Sequence, residues 1–180
     1  EAIVTALKLK LLPEEKKAIE QRGTSNLDAY NLYLMARHHY TSGMLSDTRK
    51  NDTVIRLCRG VLELDSTYAQ AWALMAAAQL YRLVMTGEGY NGDAAASRAL
   101  ELDASLAEAH AAKAGVLASS GDYEAAREEI TTALRLDPES VDVLREAGRL
   151  SFMQRRYPEA IAHWEKAFAL VETDFATGGL

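Results

Sequence analysis

The sequence predicts an all-α protein, a right-handed α-solenoid of stacked helix-turn-helix hairpins, and three observations lead there. Tyr123 and Tyr157, Ala126 and Ala160, and Ala133 and Ala167 repeat at one offset of 34 residues, the length of two short helices with their turns. Three segments share one ending, Leu62-Glu63-Leu64-Asp65, Leu100-Glu101-Leu102-Asp103 and Leu134-Arg135-Leu136-Asp137, which sets the register. The 180 residues are 48% hydrophobic and 26% charged with only 3 Pro and 11 Gly, a composition that suits one helical domain.

The repeated residue types follow from packing. Two antiparallel helices approach closely only where side chains are small, so Ala114 and Gly148 are expected to face Ala126 and Ala160. Ile130 and Trp164, with Leu134 and Phe168, supply volume between neighbouring hairpins, and Tyr123 and Tyr157 cover the bends. One hairpin cannot bury its apolar face alone, so stacking makes the core.

In chain order, residues 1–26 are expected to form an amino-terminal helical segment, the tail of an upstream domain. Ala2 to Leu12 has a wide apolar face, Ile3, Val4, Leu7, Leu9, Leu11 and Leu12. Pro13 restarts the chain, and Glu14-Glu15 ahead of Lys16-Lys17 places acids at the positive end of a second short helix. Gly23-Thr24-Ser25-Asn26 reads as linker and cap. Four units then follow, at 27–68, 69–106, 107–140 and 141–174. In the first, Tyr30, Tyr33, Leu34 and Arg37 stand where His110, Lys113, Ala114 and Leu117 stand later. Its second helix is expected from about Asp52 to Leu64, with eight extra residues placed in a longer loop within 42–50. The second unit opens with Trp72, Met75, Ala76 and Gln79. Its first helix is expected to overrun, because Leu80, Tyr81, Leu83 and Val84 stay apolar, and residues 86–92 make the turn. Thr67-x-x-Gln70 and Ser105-x-x-Glu108 have capping-box spacing. The fourth unit is expected to end near Asp174, and Phe175 to Leu180 to begin a further helix.

Net charge is −6, and beyond Asn26 there are 15 basic against 22 acidic residues, which argues against a nucleic-acid partner for this region. No apolar run approaches the ~20 residues of a membrane span, and no secretory signal pattern opens the chain. The cytoplasm is the expected compartment, or the periplasm if a membrane helix precedes this stretch. Cys58 is the single cysteine and falls at a core position, where Ile130 and Trp164 fall.

The units resemble tetratricopeptide repeats, on the residues quoted above, over Leu27 to Asp174. The run from Ile3 to Tyr40 further resembles the junction at which a TolB-like domain leads into such repeats in bacterial proteins that carry a cyclase or a winged-helix domain upstream. That resemblance implies an accessory, regulatory role, with no catalytic or DNA-binding residue to carry over. The repeat resemblance implies a concave groove lined by the second, fifth, ninth and twelfth positions of each first helix. These are Asp28, Asn31, Met35 and His38; Gln70, Ala73, Ala77 and Leu80; Glu108, Ala111, Gly115 and Ala118; and Asp142, Arg145, Arg149 and Phe152. The Lys and Asn of a carboxylate clamp do not recur, apart from Asn31. Small central residues instead predict a shallow apolar channel for a helical or extended protein segment. Arg145 and Arg149, one turn apart, would meet an acidic group of that ligand, or else pair with Asp142 and Glu146 on their own helix.

Other motifs carry less. Gly87-x-Gly89-x-x-Gly92 follows a helix and lacks a Gly-Lys-Ser/Thr ending, so it reads as a turn rather than a phosphate loop. His38 and His39 point about 100° apart on a helix and lack further ligands, and His110 and His163 take structural places. No metal, cofactor or catalytic site is expected, and no nucleophile elbow is present. The predicted function is a protein-interaction scaffold. The alternatives are a regulatory arm acting within one polypeptide on a cyclase or winged-helix domain and, least, a free-standing enzyme. Self-association is expected through the amino-terminal helix or through an uncapped carboxyl end, where the last helix, Pro158 to Val171, exposes apolar surface.

Overall fold

The computed structural model describes residues 23–42 and 48–176, so the expected helices of residues 1–22 lie outside the described residues. Among the described residues there are eight helices and no strand: α1 (Leu27–Ser42), α2 (Thr48–Leu64), α3 (Ala69–Thr86), α4 (Asp93–Leu102), α5 (Ala107–Ser119), α6 (Tyr123–Leu136), α7 (Val141–Met153) and α8 (Tyr157–Ala176). They pack as successive hairpins, α1 on α2, α3 on α4, α5 on α6 and α7 on α8. The first helix of each also touches the first helix of the next.

Local chemistry sets most boundaries. The Asn26 side chain accepts from the N–H groups of Asp28 (3.0 Å) and Ala29 (3.1 Å), which starts α1. Thr24 donates to Asp65 at 2.5 Å, tying this entry to the end of α2. The shared endings act as turns rather than as approaches to capping boxes. Asp65 accepts from the N–H (2.9 Å) and hydroxyl (2.6 Å) of Thr67, and Asp103 likewise from Ser105 (2.8 and 2.6 Å). Asp137 accepts from the Glu139 N–H at 3.0 Å. The hydroxyls of Thr67 and Ser105 are thus occupied, and the N-caps fall one residue later, at Tyr68 and Leu106, without a side-chain bond. The aspartate wins because it reaches the second N–H ahead without a helical turn between them.

The irregular units differ from the regular one in instructive ways. In the first, the eight extra residues are not gathered in a loop: α1 is 16 residues against 13 in α5, and α2 is 17 against 14 in α6. α2 therefore begins at Thr48, four residues before the expected start, and residues 43–47 lie outside the described residues. In the second, α3 overruns as expected, to 18 residues, and α4 shortens to 10. Gly92 lets the chain turn there: its φ is +84°, and a Cβ on it would lie 2.4 Å from the Ala76 carbonyl oxygen of α3. At the far end α8 runs through Asp174 to Ala176, where a new helix was expected to begin. The sequence there holds no proline or glycine before Gly178 to stop it.

The core is built from alanine more than from bulk. Ala76, Ala78, Ala96, Ala114, Ala126 and Ala133 are buried, and the largest fully buried side chains are Tyr68, Leu144, Leu150, Val54, Val61, Val143 and Cys58. Burial pushes the Cys58 thiol up to about 12, so it stays protonated and packs as a small apolar group.

The last two turns are copies at the level of hydrogen bonds. Asp122 N–H donates to the Leu117 carbonyl (3.0 Å), and 34 residues on Arg156 N–H donates to the Ser151 carbonyl (2.9 Å). Gly121 occupies the left-handed position at φ +90°, but its counterpart is Arg155 at φ +60°. A side chain there costs about 1–2 kcal/mol. Arg155→Gly is therefore expected to stabilise the protein by about 1 kcal/mol, after the added freedom of the unfolded chain is subtracted. A urea midpoint that falls or stays put would contradict this.

Candidate functional site

The residues expected to line the groove sort into three groups. Asn31, Met35 and His38 on α1 and Phe152 on α7 are exposed, while Gln70 and Ala77 on α3 are half-buried. Ala73, Leu80, Ala111 and Ala118 are buried at 2, 6, 4 and 2% exposure, and Gly115 is buried too. Glu108, Asp142, Arg145 and Arg149 are half-buried. The shallow apolar channel is thus corrected: its small residues are where neighbours come in. A Cβ on Gly115 would meet Leu80 at 2.7 Å and Glu146 at 2.8 Å, and Arg149 Nη2 donates to the Gly115 carbonyl at 3.3 Å.

A charged network crosses this face instead. Arg37 of α1 forms an ion pair with Asp142 of α7, 105 residues away in the chain. Arg145 sits 3.8 Å from the same carboxylate, and its guanidinium lies 5.4 Å from the centre of the Tyr40 ring. Arg149 is held by Glu146 at 2.6 Å, on its own helix. Burial opposes the charge on Arg37, but Asp142 outweighs it and the guanidinium is held still more firmly protonated. Burial pushes the phenols of Tyr33 and Tyr40 up, so both remain neutral. Arg37, Tyr33 and Tyr40 were not among the expected site residues. The signal was a single one: Arg37 stands where the regular unit has Leu117.

The other surface of interest is the carboxyl-terminal hairpin. Phe152 lies 5.7 Å from Tyr157 and 5.9 Å from Trp164, ring centre to ring centre. Trp164 Nε1 donates to the Arg145 carbonyl at 3.2 Å, which fixes the indole over Gly148. Tyr157, Ile161 and Phe168 join them at 49, 52 and 64% exposure.

The histidines are structural or solitary. His110 lies between Glu129 (Nδ1, 2.6 Å) and the Ala104 carbonyl (Nε2, 3.0 Å), and burial lowers the proton affinity of His163. The rings of His38 and His39 are 6.1 Å apart, edge to face. Among the described residues no group of three or more His, Cys, Asp or Glu is placed to hold a metal ion, and no described helix is long and apolar enough to cross a membrane.

Helical hairpins stacked first helix on first helix define the class of fold, and the likeness to a solved structure agrees. The crystal structure of TTC0263, a thermophilic TPR protein of Thermus thermophilus, superposes with a TM-score of 0.60 at 17% identity, covering 89% of this chain and 81% of that one. The crystal structure of MamA matches with a TM-score of 0.49 at 20% identity, over 88% of this chain and 85% of that one. U-box domain-containing protein 70 of Oryza sativa subsp. japonica is 32% identical over 177 residues. That match takes in 85% of this chain but only 21% of the rice protein, so the chain spans about a fifth of this relative's length. No protein-family model matches. The fold is a tetratricopeptide-type helical-repeat solenoid.

Proposed function

We propose that the chain is a protein-interaction module, and that its ligand is an amphipathic α-helix laid against the α7–α8 hairpin. The observation that carries this is a comparison of equivalent positions one repeat apart. Ala118 and Ile130 of the third hairpin are 2 and 6% exposed, whereas Phe152 and Trp164 of the fourth are 53 and 38% exposed. The side chains grow larger where no described helix lies over them. Ile161 replaces the exposed Arg127 as well, so apolar surface extends to a place that is charged in the interior repeat. A contiguous patch of this kind marks an interaction site. Its complement is already present in the chain: α7 covers α6 with Val143, Ala147 and Leu150, at helix positions i, i+4 and i+7. The ligand should offer the same stripe of small and aliphatic residues.

A fluorescently labelled helical peptide with the sequence of residues 140–153 is the probe. Saturable binding is expected, and Phe168→Glu should weaken it about tenfold or more, as loss of an aromatic anchor does. Binding that does not saturate, or that ignores Phe168→Glu, refutes the proposal.

The concave face offers a secondary contact through Asn31, Met35 and His38 at its rim, for an extended or helical segment. The resemblance of Ile3 to Tyr40 to the TolB-like junction supports a cellular setting: an accessory arm of a bacterial signalling protein, acting on a cyclase or winged-helix domain of its own polypeptide. The complete reading frame tests this, and an upstream region of any other kind refutes it.

A further inference from the structure

Away from both faces, a cavity of about 220 Å³ opens between α2, α3 and the turn at residues 87–92, lined by Asp52, Ile55, Arg56, Arg59, Gln79, Arg82, Gly89 and Tyr90. Three of these are arginines, in a chain whose net charge is −6. They are not equivalent. Arg82 is fixed: Nε donates to Asp52 at 2.6 Å and Nη1 to the Glu88 carbonyl at 2.7 Å. That second bond braces the glycine turn, since a Cβ on Gly89 (φ +110°) would lie 2.7 Å from the same Nη1. Arg56 and Arg59, one turn apart on α2, have no hydrogen-bond or ion-pair partner among the described residues, and both are exposed. Tyr90, at the tip of the braced turn, is 72% exposed, and the lining also includes the buried Ile55 of α2.

We propose that this pocket binds a phosphomonoester carried on an aromatic ring, with the phosphate between Arg56 and Arg59 and the ring against Tyr90 and Ile55. Two guanidinium groups at one-turn spacing suit a dianion with three acceptor oxygens better than a carboxylate, because each can give a pair of parallel N–H bonds. Asp52 does not cancel them, since its charge is matched by Arg82. An exposed aromatic ring and a buried aliphatic side chain in one lining supply apolar contacts for a flat ring beside the two guanidinium groups. Volume limits the ligand. Pockets for whole drug-sized molecules run to about 300–1,000 Å³, so only one phosphorylated ring enters and anything attached to it stays outside. The glycines take no part as a phosphate loop: the Glu88 N–H is already bonded to the Thr86 hydroxyl at 3.1 Å, and their role is to present Tyr90.

The experiment titrates the protein with phenyl phosphate, inorganic phosphate, phenol and a peptide containing one phosphotyrosine, followed by NMR shifts of the arginine side chains and of Tyr90. Phenyl phosphate is expected to bind saturably, about tenfold or more tighter than phosphate or phenol alone, since both sets of contacts are then used. R56Q/R59Q should abolish that preference while leaving the thermal unfolding midpoint in place, because neither side chain has a partner to lose among the described residues. Tyr90→Ala should reduce phenyl phosphate to the affinity of inorganic phosphate. A phosphotyrosine peptide that binds tighter than phenyl phosphate identifies a protein as the source of the group. Equal affinity identifies a free aryl phosphate. Equal binding of phenyl phosphate and inorganic phosphate by the unaltered protein, or an unchanged titration in R56Q/R59Q, overturns the proposal.

Discussion

Gly92→Ala is expected to destabilise the protein by about 2–5 kcal/mol. Two costs combine at this position. The backbone is left-handed at φ +84°, which costs a side chain about 1–2 kcal/mol. The new Cβ would also lie 2.4 Å from the Ala76 carbonyl oxygen and 3.1 Å from the Ala76 Cα, main-chain atoms in the middle of α3 that cannot swing aside. Relief would require α4 to move away from α3. Gly87 is the control, because its φ of +74° is similar but nothing lies within 4 Å of its would-be Cβ. Gly87→Ala should cost only the conformational share, about 1 kcal/mol. Equal urea midpoints for the two variants would show that the close approach has no weight.

Asp142→Leu is expected to cost about 2–3 kcal/mol, toward or below the lower end for a buried ion pair that loses one partner, because the Arg37 side chain keeps about a third of its exposure. The change would leave Arg37 and Arg145 facing each other with no carboxylate between them, and Asp142, at 13% side-chain exposure, is where water has least access to help. Adding Arg37→Met should recover at least half of the loss, since the penalty lies in the unpaired charge more than in the missing bond. If the double variant is no more stable than Asp142→Leu alone, the coupling between α1 and α7 is not what the pair contributes. Arg145 and Arg149 fall under the same geometry, each beside a carboxylate of its own helix. With Asp142 and Glu146 already beside them, reversing their charge would strain the fold as well as any interface.

What the sequence conveyed was what neighbours within one repeat decide. The 34-residue offset, the overrun of α3 and the capping role of Asn26 depend on residues a few positions apart, and those are legible as spacing. Thr67 and Ser105 had the right spacing for a capping box too, but Asp65 and Asp103 stood nearer and took their hydroxyls. The groove departs from its spacing for a different reason. Ala111 and Gly115 are small in the sequence, but small is not the same as open. A small residue on a packed face is a space that something else enters, here Leu80 and Arg149 from the hairpins on either side. The Arg37–Asp142 pair had no spacing to read, because its partners lie on the first and fourth hairpins and meet only once the stack between them is in place. Residues such as Phe168 and Ile161 are legible as apolar, but not as exposed, because exposure is decided by which other helices pack against α8 among the described residues.

The contact between the first and last hairpins also bears on how the molecule comes apart. In an array where each hairpin touches only the next, the ends open first and independently, and unfolding spreads inward in steps. A charged clasp joining α1 to α7 adds a link beyond nearest neighbours, so α1 cannot swing away from the stack without breaking its pair with α7. Hydrogen exchange of α1 and α7 should then rise together, as one cooperative unit, rather than in the order of their distance from the middle. The link is also slow to find, since it requires two segments 105 residues apart to meet. This chain is therefore expected to fold as a local stack first and to lock last.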